Sequence, residues 1–303
     1  MTAPSLLQDR PLRGIAFMVT AFTCVGVTDA LSKAGVALMP TTQMLAIRSV
    51  MVLLMMSPWI VRAGGLAVFR TQNLREHAIR IVLSLVSMFS FFEALRHLEL
   101  ATAIAIGFVA PLIMTAISVP LLGERVGLHR WSAILVGFVG ALVILQPGAE
   151  GFQPGALLCL LAAATWAASM VYVRRLARMD SDVTMLVYQN TAVMLVMGGL
   201  APFFWEPIGL GALTLTAGMA ASVVTGQWFM FRAFRCAPVG LIAPFQYLEL
   251  LWAAIFGWVI WSEAPDPSVW FGAAILVASG LYVIWRERVR AREAAIRARS
   301  ATE

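Results

Sequence analysis

Ten apolar stretches, at about 14–37, 42–61, 77–95, 101–122, 130–146, 155–173, 183–204, 212–231, 240–261 and 268–285, dictate what this chain can become. Each holds roughly twenty residues, enough at about 1.5 Å per residue to cross a hydrocarbon layer of about 30 Å. Inside such a layer the backbone must satisfy its own hydrogen bonds, so each stretch is expected to be a helix. With 60% of residues hydrophobic and 13% charged, against about 25% charged in soluble domains, little is left for a soluble domain. The first stretch follows Arg10 and Arg13, is too long for a signal-peptide core and lacks a small-residue cleavage pattern, so it is expected to remain as the first span.

The stretches read as one five-span unit written twice. At an offset of about 141, Gly14 matches Gly155, Lys33 matches Arg174 and Met44-Leu45 matches Met185-Leu186. From the third span the offset is 139: Ala94 matches Ala233, Arg96 matches Arg235 and Glu124 matches Glu263. An odd number of spans per copy turns the second copy upside down, and the charges follow. With the N-terminus in the cytoplasm, 19 of the 22 Lys and Arg residues fall on the cytoplasmic side, the exceptions being Lys33, Arg48 and Arg96. The opposite loops carry Glu99, Glu150, Glu206, Glu263 and Asp266. This is the positive-inside pattern. The +6 net charge is therefore orientation charge rather than a nucleic-acid surface.

These patterns predict an all-α integral membrane protein with ten transmembrane helices in two inverted five-helix repeats, a duplication suited to a secondary transporter. The expected organisation is a cytoplasmic N-terminus (1–13), a first repeat (14–148), a second repeat (153–285) and a basic cytoplasmic tail (286–303). The tail is a solvated helix end or a contact for anionic headgroups.

The segments LELATAIAIGFVAPL (98–112) and LLGERVGLHRWSAILVGFVGALVILQPG (121–148), echoed by APVGLIAPFQYLELLWAAIFGWVIWSE (237–263), carry a resemblance. They resemble the signature region of the EamA family in the drug/metabolite transporter superfamily, across essentially the whole chain. Asp29-Ala-Leu-Ser-Lys33 together with Arg48 is similar to the branch holding riboflavin, S-adenosylmethionine and opine-metallophore transporters. The resemblance implies both termini in the cytoplasm of a bacterial-type inner membrane. It also implies a central cavity lined mainly by spans 1, 3, 4, 6, 8 and 9.

Polar side chains at membrane depth are costly and become site candidates. Asp29 in span 1 is a substrate or proton site, or is neutralised by Lys33, one turn on, or by Arg48. Lys33 reads as an interfacial residue whose ammonium snorkels outward. Arg48, several residues inside span 2, either holds a solute carboxylate or phosphate or forms a fixed pair with Asp29 or Glu93. Its repeat mate is Gln189, beside Asn190. Glu93 lines the cavity or the interface. Glu249, near the middle of span 9 and on one face with Gln246, is the leading proton or substrate group, with a neutral hydrogen-bonded acid as the alternative. Gly107 with Pro111 in span 4 and Pro244 in span 9 are expected to shape the helices. Trp166, Gln227, Trp228 and Tyr247 sit at cavity depth, where aromatic rings suit a planar or amphipathic solute. Trp59, Trp205, Trp261, Trp270 and Trp285 read as interfacial belt, and Gly137, Gly140 and Ala141 as helix contacts.

Enzyme chemistry is not encoded in any recognised form. There is no phosphate-cradling glycine loop with a lysine. His77, His97 and His129 lie apart, and Cys24, Cys159 and Cys236 have no paired spacing, so neither cofactor nor metal is expected. The expected function is secondary transport of a small organic metabolite across the bilayer by a monomer or homodimer, with proton coupling through Glu249 and Asp29. Alternatives are export of amino acids or amphipathic xenobiotics instead of import of a vitamin or nucleoside-like compound and, outside transport, an intramembrane enzyme or a scaffold.

Overall fold

A computed structural model describes residues 11–122, 128–145, 154–176, 179–236 and 242–300. Among them there is helix and no strand. The first three apolar stretches are α1 (Pro11–Val36), α2 (Thr41–Arg62) and α3 (Leu74–Ala94). The fourth, expected as one helix, is two: α4 (Leu100–Gly107) and α5 (Ala110–Leu122). Then follow α6 (Leu128–Leu145), α7 (Pro154–Leu176), α8 (Asp182–Leu200) and α9 (Leu210–Cys236). The ninth stretch is a 3-10 segment, Ala243–Tyr247, running into α10 (Leu248–Trp261), and the tenth is α11 (Pro267–Ser300).

The break between α4 and α5 has a covalent cause. Pro111 has no N–H to give the carbonyl of Gly107, and its ring crowds that turn. The chain closes the gap with tighter bonds, Val109 N–H to Ile106 C=O at 3.1 Å and Leu112 N–H to Val109 C=O at 3.0 Å. The 3-10 segment before α10 likewise begins with proline at its first turn, at Pro244. The two irregular points meet: the rings of Phe108 and Tyr247 lie 5.2 Å apart. At 34 residues α11 runs about 51 Å, well past a hydrocarbon layer.

Among the described residues, five helices are by length and composition apolar enough to cross a membrane: Leu12–Val36, Thr41–Arg62, Leu74–Ala94, Pro154–Val173 and Asp182–Phe204. Shorter apolar helices cover Leu100–Met114, Leu135–Ile144, Phe245–Trp261 and Pro267–Tyr282. Large apolar side chains point away from the bundle, among them Leu54, Leu195, Trp258 and Phe271, as a lipid-facing surface requires.

Inside, α1 packs along α9, α3 along α7, α2 along α8 and α6 along α11. α1 also meets α10, α7 meets α4 and α5, and α4 crosses α10. Small residues let these backbones approach. Ala101, Ala103 and Ala105 of α4 are buried in the main core with Ala253 and Ala254 of α10. In the α6–α11 pair, a Cβ on Gly272 would stand 2.5 Å from the Gly140 carbonyl, so the glycine contact expected on the fifth span is present.

Candidate functional site

The seam between α1 and α10 carries two acids that lie far apart in sequence. Met18 and Ile242 share one apolar cluster, a Cβ on Gly26 would stand 2.6 Å from Trp252 Cβ, and Lys33 pairs with Glu263. The contacts rise together in number, so the two segments run parallel. Asp29 lies one turn past Gly26, and Glu249 one turn before Trp252. Asp29 is buried and its Oδ2 has no hydrogen-bond partner in the protein. The Trp252 indole N–H on the same seam is also buried without an acceptor. Like charges in surroundings of low polarity repel, and a proton or the cationic group of a solute relieves the repulsion.

Neither cation once considered for Asp29 reaches it. Lys33 is not a snorkelling residue; it is buried and pairs with Glu263, and its Nζ also donates to the Leu98 carbonyl at 3.1 Å over the face of Trp261. The reason lies in the turn after α10. Ser262 adopts φ 56°, a left-handed conformation uncommon for a non-glycine residue, and the Glu263 N–H bonds back to the Gly257 carbonyl at 3.0 Å. That turn folds the Glu263 side chain inward, where its other oxygen accepts the Leu100 N–H at 3.1 Å. One carboxylate thus ties α1, α4 and α10 at one end of the bundle. Trp261, expected in the interfacial belt, belongs to this cluster. Alongside, Glu93 accepts from Thr41 at 2.8 Å and from Arg96 at 3.2 Å, and Arg96 donates to the Met39 carbonyl. Gln43 and the Glu206 backbone exchange two hydrogen bonds, of 2.9 and 3.2 Å.

Arg48 pairs with neither Asp29 nor Glu93. It is 8% exposed, and its contacts are the Met88 sulfur at 3.8 Å and the Phe92 ring at 5.7 Å. An arginine at membrane depth costs about 2.5–3.5 kcal/mol on insertion scales, and a cation–π contact returns about 0.5–2 kcal/mol. Gln189 reaches the same sulfur, at 4.0 Å.

The remaining candidates are placed separately. Gln227 and Trp228 line a cavity of about 360 Å³ between α2, α8 and α9, together with Val52, Trp59, Asn190 and Arg232. Spans 2 and 7, which the resemblance does not place among the main lining spans, line this cavity with span 8. The Arg232 guanidinium lies 4.6 Å from the Trp228 ring. Trp166 is exposed and does not line this cavity. Tyr247 points away from the Asp29–Glu249 seam, with its ring against Phe108 and its hydroxyl against Gly280. Gln246 is half-buried. Gly107 leaves open space around its Cα, with nothing within 4 Å of where a Cβ would lie.

At the other end of the bundle, Asp180 joins the α7–α8 loop to α3. It accepts from Thr71 at 2.9 Å and Asn73 at 3.3 Å and lies 2.9 Å from His77 Nε2. Burial pushes this carboxyl up, but the hydrogen bonds from His77, Thr71 and Asn73 outweigh it and hold it below the usual aspartate value.

Sequence reasoning noted Lys33 and Glu263 separately and missed their pairing, along with Trp252 and Met88. The repeat alignment of Glu263 with Glu124 was the available signal that this loop acid was more than a boundary charge. The rest depended on which helices touch.

Comparison with known proteins agrees with this architecture. The chain is 28% identical to the riboflavin transporter of Vibrio cholerae over 292 residues, covering 95% of this chain and 98% of that one. It is 33% identical to the riboflavin transporter of Rhizobium johnstonii over 234 residues, 76% of this chain and 77% of that one. To the S-adenosylmethionine uptake transporter of Rickettsia prowazekii it is 27% identical over 277 residues, 91% and 94% of the two chains. Matching at residues 12–146 and again at 153–286, this multi-pass membrane protein belongs to the EamA-like transporter family.

Proposed function

We propose that the protein is a secondary transporter of the inner membrane that moves a small organic metabolite by alternating access, with Asp29 and Glu249 as its proton- or solute-binding carboxylates. The observation that carries this is the α1–α10 seam: two acids at membrane depth, one with a buried oxygen that no protein group satisfies. A permanently structural acid would have its partner built in. The unsatisfied Asp29 oxygen is a position that a proton or a solute cation completes and then releases. The Lys33–Glu263 tie closes the bundle at the end beyond Asp29, the end that faces outside when both termini are cytoplasmic.

Alternating access needs two opposed halves, and several features support inverted repeats at 14–148 and 153–285. Exchanging the copies turns the α1–α9 pairing into α7–α3, and α1–α10 into α7 with α4 and α5; all of these pairings occur. Residues that match in the alignment meet each other, Phe108 with Tyr247 directly and Arg48 with Gln189 at Met88. Contact between mates is expected where a pseudo-two-fold axis passes. The positive-inside pattern supports cytoplasmic termini.

The relatives' names favour a heteroaromatic metabolite such as a flavin or an adenosyl compound. The test is uptake of radiolabelled riboflavin and S-adenosylmethionine into proteoliposomes under an imposed pH gradient. Accumulation that follows the gradient and disappears in Glu249→Gln supports the reading. Wild-type accumulation in Glu249→Gln removes that residue from the mechanism.

A further inference from the structure

Arg48 has the surroundings of a receptor rather than of a structural cation. A buried guanidinium kept for structure is held by carboxylates or carbonyls in fixed geometry. Here, among the described residues, no carboxylate lies within ion-pair distance. The contacts are a thioether and a phenyl face, both soft and both displaceable. The unmet polar capacity around it is concentrated: Arg48 Nε, Ser49 Oγ and Gln189 Oε1 are all buried without a hydrogen-bond partner. Arg48 and Gln189 approach one sulfur from two helices without bonding each other, so donors and an acceptor border one spot.

We propose that this spot, between α2, α3 and α8, binds a carboxylate or phosphate group of the transported solute on the Arg48 guanidinium, with Gln189 taking an N–H or O–H beside that anion. The proposal rests on the transporter reading and narrows its substrate class to solutes bearing an oxyanion. Met88, unbranched and flexible, is the side chain that yields when the anion enters. The same burial, behind Met88 and Phe92, keeps a lipid headgroup from being the ordinary source of the anion.

The test uses the purified full-length protein and three matched pairs: S-adenosylmethionine and its methyl ester, flavin mononucleotide and riboflavin, and L-phenylalanine and its amide. Thermal unfolding in detergent is followed at millimolar concentrations of each, because a ligand of the native state raises the melting temperature. The expected result is stabilisation by the carboxylate or phosphate member of at least one pair and not by its masked partner. Arg48→Gln weakens that binding about tenfold or more, the scale of a lost charge-assisted hydrogen bond. Met88→Glu supplies a permanent counter-ion. It should abolish the ligand shift while melting no lower than wild type, whereas a purely structural arginine would gain stability with no loss of binding.

Equal shifts from both members of every pair, an anion-dependent shift that survives Arg48→Gln, or no shift from any anionic member overturns the proposal. A shift reproduced by phosphatidylglycerol alone also overturns it, naming lipid as the ligand. Proteoliposomes separate this failure from failure of the transporter reading. An Arg48-dependent melting shift without solute movement keeps the site and removes the transport function. Gradient-driven movement of a neutral solute, unaffected by Arg48→Gln, keeps transport and removes the anion site.

Discussion

Replacing Glu263 by glutamine leaves the Lys33 ammonium at the end of α1 without a counter-charge. Of the pair Lys33 is the deeper, its side chain 9% exposed against 19% for Glu263. After the substitution Lys33 keeps only the Leu98 carbonyl at 3.1 Å and the Trp261 ring at 5.2 Å. Removing one partner of a buried ion pair costs about 3–5 kcal/mol. The lower end, about 3 kcal/mol, applies here, since glutamine still accepts the Leu100 N–H. Lys33→Met strands the shallower partner, which keeps the Leu100 N–H and is exposed enough to draw water, for about 1–2 kcal/mol. With both charges removed nothing is left uncompensated, so the double variant should lose about 2 kcal/mol, a coupling of roughly 2–3 kcal/mol. Reversible unfolding in mixed micelles, followed by helical circular dichroism, measures all four corners of this cycle. Glu263→Gln milder than Lys33→Met, or single effects that add to within about 0.5 kcal/mol, would refute the argument that burial of an unpaired ammonium dominates.

Four further outcomes are expected. Asp29→Asn and Glu249→Gln should each insert and fold yet lose gradient-driven accumulation in proteoliposomes; loss of folded yield instead would make these acids structural. Gly272→Val forces a Cβ to within 2.5 Å of the Gly140 carbonyl oxygen, backbone that cannot step aside, and of the Ile144 side chain, so it should cost about 1–3 kcal/mol in unfolding. Gly198→Ala, with nothing within 4 Å, should be neutral or gain up to about 1 kcal/mol in the helix. Asp180, held below its ordinary value of 3.8, stabilises the fold above that value, and the contribution disappears as pH falls through the depressed one. Melting of Asp180→Asn should therefore lie below wild type at neutral pH, and the gap should close in strong acid.

Much of the fold was legible because a bilayer leaves few choices. A stretch such as 42–61, long and mainly apolar although it carries Gln43 and Arg48, and preceded by Pro40, has helix as its only solution in lipid, and α2 begins at Thr41. The interruption in the fourth span was signalled by Pro111 four residues after Gly107, since a missing N–H is a covalent fact; that it splits the span into two helices emerged only in the structure. The candidate site was legible as a set of residues and not as a set of partners. Asp29, Lys33, Arg48, Glu93, Glu249 and Glu263 each stand out as charge in or beside apolar sequence, yet nothing local says which of them meet.

The amino-acid sequence by itself determined the helical membrane class, most of the helices and the family, because hydropathy and charge act segment by segment against the membrane. The tertiary structure decided the pairing. Lys33 finds Glu263, 230 residues away, because α1 and α10 run parallel and Ser262 turns the carboxylate inward. The same packing puts Asp29 and Glu249 on one seam and leaves Arg48 facing a sulfur and a ring. Coulomb energy in a medium of low polarity depends steeply on distance, and distances between helices are set by the whole bundle at once.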